Sequence, residues 1–150
     1  MTRIKRLQPV VQHTDKKEQH ALQEVAQSQG LLEIELARQA QLQDYRLEYL
    51  QKRKSAIGVF AALELQEFNR FMQQLDLTIE RQLDVVKMRQ LEVEQKRDAW
   101  NTTRIDAKVM HKVVEKLQQQ EFVEQERKEQ KELDDITQIT QITQRNNKRR

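Results

Sequence analysis

Two glycines and one proline are all the backbone punctuation in a chain of 150 residues. Tight reversals draw on Gly, Pro, Asn, Asp and Ser, each for its own backbone reason, so this chain has almost nowhere to turn. Most of the rest is Gln, Glu, Lys, Arg, Leu and Ala, the straight-chain residues that lose little freedom in a helix. With 37% of residues apolar and 34% charged, the mixture reads as long helices and coiled coils. The length allows a single domain, but a thick core is out of reach. Packing must run along a narrow seam.

Periodicity locates that seam. Stepping by seven from Leu65 meets Met72, Ile79, Val86, Val93, Trp100, Ala107 and Val114. An apolar run of eight heptad positions arises by chance about once in a few thousand registers. The companions three residues on are Phe68, Leu75, Gln82, Arg89, Lys96, Thr103, Met110 and Leu117. They are apolar at the ends and polar in the middle, whereas a strong two-stranded coiled coil keeps both positions apolar. An earlier segment carries a weaker ladder of Leu22, Val25, Leu32, Leu36 and Leu50, interrupted by Gln29, Gln39, Gln43 and Arg46. Ala21, Ala26, Ala40, Leu42, Leu47 and Tyr49 widen its face. Gly30 lies inside this segment at a cost of about 1 kcal/mol relative to Ala. The pattern predicts a helix over about 10–53, opening just after Pro9, which a first turn tolerates because its missing N–H has no partner there.

Between the two ladders stands SAIGVFAALEL, residues 55–65, the least polar stretch in the chain. Gly58 supplies the reversal, and Ile57, Val59, Phe60 and Leu63 close the end of a two-helix seam. The expected fold is therefore all-α: a long antiparallel two-helix coiled-coil hairpin in one domain, with a turn over about 54–61 and a second helix over about 62–140. At ~1.5 Å per residue the helices measure ~65 Å and ~115 Å, so the second overhangs by roughly 30 residues from near residue 110. In that overhang EQERKEQKE (124–132) has no apolar residue, and a helix polar all round is carried by ion pairs or awaits a partner. ITQITQITQ repeats every three residues, which suits neither helix nor strand, and residues 141–150 are expected to fray.

Composition excludes much chemistry. The absence of Cys removes disulfides and thiolates and fits a reducing compartment. No apolar run approaches the roughly 20 residues that span a bilayer, and MTRIKRLQPVV lacks the apolar core of a secretory signal; a soluble, cytoplasmic protein is expected. Net charge is +3, with basic clusters at Arg3/Lys5/Arg6, at Lys52–Lys54 and in RNNKRR, but no basic stripe along one face. His13 and His20 could share a helix face, yet no Cys or carboxylate completes a metal shell, and His111 stands alone. There is no phosphate-binding Gly-rich loop, and Ser28 and Ser55 lie far from any His. No enzyme activity and no cofactor are expected.

Several stretches resemble one family: RLQPVV (6–11), LQDYRLEYL (42–50), EFNRFMQQLDLTIERQ (67–82), KRDAW (96–100) and EQKELDDI (129–136). In combination they are similar to the flagellar export protein FliJ family, in register from about residue 3 to 137, while the ITQ repeats depart from it. The resemblance implies an antiparallel hairpin like the central stalk of rotary ATPases. It implies a cytoplasmic component, peripheral to the inner-membrane export apparatus, that binds the hexameric flagellar type III export ATPase (FliI) and the gate protein FlhA, and handles export chaperones. On that reading Phe71, Leu75, Thr78 and Gln82, at i, i+4, i+7 and i+11 on one face turned partly from the seam, would dock on FlhA. Arg3, Lys5, Arg6 and Leu7, with Val114, Leu117, Glu121, Glu124, Arg127 and Lys131, would face the ATPase ring. A general scaffold, a basic-tailed nucleic-acid binder and the equivalent stalk of a virulence injectisome remain alternatives.

Overall fold

The structure, a computed structural model, describes residues 2–55 and 62–150. They form two helices, α1 (Thr2–Ser55) and α2 (Ala62–Lys148). Gly58 and its neighbours Ile57, Val59 and Phe60, expected to make the turn, lie outside the described residues. The helices pack against each other as a hairpin, with no strand among the described residues. The chain divides into two compact units, Glu18–Thr103 and a terminal unit of Met1–Lys17 with Arg104–Arg150.

Within Glu18–Thr103 the antiparallel sense follows from the cross-helix pairs. Arg46 meets Asp76, Glu35 meets Gln82 and Glu24 meets Lys96, so partners climb along α2 as they descend along α1. On α2 the positions Phe68, Met72, Leu75, Ile79, Gln82, Val86, Arg89, Val93, Lys96, Trp100 and Thr103 are protected in a continuous alternation of threes and fours, with Phe71, Val85 and Glu92 half-buried beside them. Met72, Val86 and Val93 are buried, and Ile79 and Trp100 half-buried. Leu65 is not part of the seam: it is 39% exposed, and Leu63, expected to close the end, is 71% exposed. The seam closes instead on Phe68, whose ring is already covered from α1.

On α1 the seam keeps Val25, Leu32, Gln39 and Arg46 but takes its second column one residue earlier than the leucines suggest. Ala21, Ser28, Glu35, Leu42 and Tyr49 point inward, while Leu22 and Leu36 are exposed. The physical reason lies across the interface. Gln82 Nε2 donates to both the backbone carbonyl and the carboxylate of Glu35, at 2.9 and 2.6 Å. Rotating Leu36 inward would strip that amide of both acceptors, and an unsatisfied buried polar group costs about 1–3 kcal/mol.

Helix α1 begins at Thr2, not near residue 10, and carries Pro9 in its interior. An interior proline forfeits a backbone hydrogen bond and costs about 3 kcal/mol. Ile4, Leu7 and Val11, half-buried at heptad spacing in the terminal unit, hold the helix through it. The extra turns lengthen the pairing: Ala107 is buried and Met110, Val114, Leu117 and Glu121 are half-buried, so the overhang starts at Phe122 rather than near 110. From there on α2 is exposed at every position, and it stays helical through the ITQ repeats to Lys148. The fraying expected over 141–150 is confined to the last two residues.

Candidate functional site

Two features of Glu18–Thr103 and one of the terminal unit carry the chemistry. The first is an aromatic block. Tyr45 and Tyr49 stand one turn apart on α1, Phe68 and Phe71 almost one turn apart on α2. Tyr49 stacks on Phe68 with centroids 5.5 Å apart and planes 14° apart, and tilts against Phe71 at 4.5 Å. Tyr45 meets Phe71 edge-on at 6.2 Å. Offset and edge-on pairs of this kind add about 0.5–1.5 kcal/mol beyond the area they bury. Arg53 lays its guanidinium 4.6 Å over the Phe68 ring, a cation held by the ring's negative face. Beside it lies a groove of about 470 Å³ lined by Tyr49, Lys52, Arg53, Glu64, Glu67 and Phe68. An aromatic floor with charged walls of both signs suits a peptide surface.

The second feature is polar. Arg89 Nη1 donates to Glu92 on its own helix at 2.9 Å, and Lys96 donates to Glu24 across the seam at 3.2 Å. Together with Gln82–Glu35, these fill three successive companion positions with side chains that find partners. Arg38 donates to the same Glu35 carboxylate at 3.1 Å, so this buried acid is held by an amide and a guanidinium. Sequence reasoning passed over Glu35, Glu24, Tyr49 and Arg53 as site residues. The signal was available for the first two: the polar companions at 82 and 96 needed partners across the seam.

The four residues expected to dock on FlhA are divided by the structure. Leu75 is buried with Phe68 and Met72, and Phe71 is half-buried against that cluster. Gln82 is occupied by Glu35, and Thr78 is exposed, its hydroxyl donating to the Gln74 carbonyl. The face expected to turn from the seam therefore belongs largely to it, because positions 75 and 82 are seam positions and 71 and 78 flank them.

In the terminal unit, the ring-facing set divides as well. Leu7, Val114, Leu117 and Glu121 are half-buried, whereas Arg3, Lys5, Arg6, Glu124, Arg127 and Lys131 are exposed. His111 Nε2 donates to Asp15 at 2.9 Å and ties the two helices there. His20 pairs with Glu24 at 3.4 Å, and no group of metal-binding side chains occurs among the described residues. No described helix is long and apolar enough to cross a membrane.

A hairpin of two long helices packed along a narrow seam defines a helical coiled-coil protein. The chain belongs to the family described as flagellar FliJ protein, whose model matches residues 3–146. That places it among the non-enzymatic components of flagellar biogenesis and protein export, as a stalk-type component. Neither the curated proteins nor the solved structures return a match.

Proposed function

We propose that this protein is the stalk that couples the flagellar export ATPase to the FlhA export gate, with export chaperones as further clients, and that it works at the cytoplasmic face of the inner membrane without hydrolysing anything itself. The observation that carries this reading is the bare end of α2: from Phe122 onward the helix continues with every side chain exposed. A helix polar over most of its surface and unsupported by its own hairpin is built to be received by another body. Arg3, Lys5 and Arg6 share the terminal unit with Glu124, Arg127 and Lys131 and present charges of both signs. Mixed charge at a surface gives orientation and on-rate without tight fixation.

The FlhA contact falls on the aromatic block. The open flank of Phe71, with Thr78 beside it and the groove walled by Lys52 and Arg53 nearby, forms an aromatic anchor with a polar rim. Leu75 and Gln82 support this surface from beneath.

Deleting residues 121–150 is expected to abolish stimulation of the purified export ATPase while the helical circular dichroism of the hairpin and its melting midpoint persist. Stimulation that survives the deletion rules out the ring-facing assignment. Phe71→Ala is expected to reduce FlhA binding in a pull-down. It should lower the midpoint only slightly, since the side chain is half-exposed. A mutant that melts early and still binds FlhA makes Phe71 purely structural.

A further inference from the structure

IDAKVMHKVVEK, residues 105–116, repeats one tetrad three times: an aliphatic residue, then a lysine three places on. On a helix the period of four draws two parallel rows, Ile105–Val109–Val113 and Lys108–Lys112–Lys116, each step advancing by about 40° around the axis. Residues three apart are neighbours on a helix, so every aliphatic side chain has a lysine beside it. The seam uses other positions of the same stretch: Ala107 is buried, and Met110 and Val114 are half-buried. Both rows therefore lie on the outer surface of α2. Ile105, Val109 and Val113 are 52, 53 and 40% exposed, and all three lysines are exposed.

Like charges four residues apart work against a helix, and nothing within the chain offsets them here. Among the described residues no ion pair holds Lys108, Lys112 or Lys116, and Asp106 and Glu115, the acids of the stretch, pair with none of them. The imbalance is regional. Residues 1–17 and 104–121, both in the terminal unit, carry nine basic side chains against four acidic ones, whereas the rest of the chain carries 18 against 20. We propose that the two rows dock an amphipathic helix of a partner protein, one whose apolar row is bordered by glutamates or aspartates. Rows of period four pack into rows of period four at a crossing angle of about 50°. The partner therefore lies obliquely across α2 and does not extend the seam as a third strand. The aliphatic row is one residue wide and holds no aromatic side chain, which fits the groove between two rows of a facing helix. A lipid surface takes up a broad face rich in Trp, Phe or Leu, and a nucleic acid would set the aliphatic row against phosphates. None of these six residues belongs to the ring-facing or FlhA-facing sets, so this docking surface stands or falls independently of the stalk reading.

The test is fluorescence anisotropy of a labelled synthetic peptide helix titrated with the full chain. The peptide carries leucines four residues apart, each with a glutamate three residues on; its control has lysines in place of the glutamates. The chain should bind the glutamate peptide and not the lysine peptide, and more weakly as salt is added, because charge pairs at an exposed surface are screened. Replacing the lysine row, Lys108→Glu with Lys112→Glu and Lys116→Glu, should lower affinity for the glutamate peptide by about tenfold and create binding to the lysine peptide. Val109→Gln leaves the charges in place and should also weaken binding by about tenfold, since an aliphatic side chain loses its burial. Its melting midpoint should remain that of the parent, because Gln suits an exposed helical position at least as well as Val. No binding of the glutamate peptide, equal binding of both peptides, or binding indifferent to either variant overturns the proposal. Two other occupants would overturn it as well. Dimerisation of the free chain that Val109→Gln abolishes would make this face a contact between copies. Co-sedimentation with phosphatidylglycerol vesicles that the same substitution abolishes would make it a lipid surface.

Discussion

Within Glu18–Thr103 the same two helices are joined in two different ways. From Phe68 to Ile79 the seam is filled by shape: four aromatic rings, Met72 and Leu75 lock together with Leu42 and Leu50. From Gln82 to Lys96 one column stays apolar, with Val86 and Val93, while the other is filled by hydrogen bonds and ion pairs. Apolar packing supplies most of the stability but tolerates sliding, because burial has no direction. A buried polar group has a fixed partner and penalises every register that separates the two. The aromatic end therefore holds the helices together, and the polar middle fixes how they are aligned.

The largest effect is expected at the aromatic end. Phe68→Ala removes the ring that stacks with Tyr49 and carries the Arg53 guanidinium and should cost about 3 kcal/mol, the lower end for a buried phenylalanine because a two-helix seam is only half a core. The thermal midpoint measures it. A loss no greater than that of a surface substitution would erase the distinction between the two stretches.

In the polar stretch, Gln82→Ala should cost about 1–2 kcal/mol by leaving the Glu35 carboxylate with Arg38 alone. Replacing both partners, Glu35→Leu with Gln82→Leu, should return stability to the parent value or above it, since paired buried polar groups give little net stability over apolar ones. Denaturant titration of the two variants tests this. If the double variant remains as unstable as Gln82→Ala, the pair contributes stability and not merely register.

Gly30→Ala should be the smallest change and of opposite sign. A Cβ built on Gly30 meets nothing within 4 Å, so the substitution should stabilise by about 1 kcal/mol through helix propensity alone. It would show that the polar side of the hairpin keeps open space which the aromatic end does not. A lower midpoint would instead mean that the position is tighter than its surroundings suggest.

The scarcity of Gly and Pro, the length of each amphipathic pattern and the eight-residue ladder on α2 were enough to establish two long helices and a hairpin between them, because helix period and chain reversal are local properties. Val86, Val93 and Ala107 were legible as seam residues for the same reason, each being apolar at a heptad position with no competitor. Leu22 and Leu36 were misleading: two ladders one residue apart both obey the heptad rule, and only the partner helix chooses between them. That choice went to Glu35 and Ala21 because Gln82 needed an acceptor more than Leu36 needed burial. The start of α1 ahead of Pro9 was likewise a tertiary decision, made by Ile4 and Leu7 finding a seam to enter, which local propensity does not see. Leu75 and Gln82 could be placed on one face of α2 from spacing alone. Whether that face looked outward depended on the rotation of a second helix some forty residues away in sequence, and non-local packing is what the linear pattern leaves undetermined.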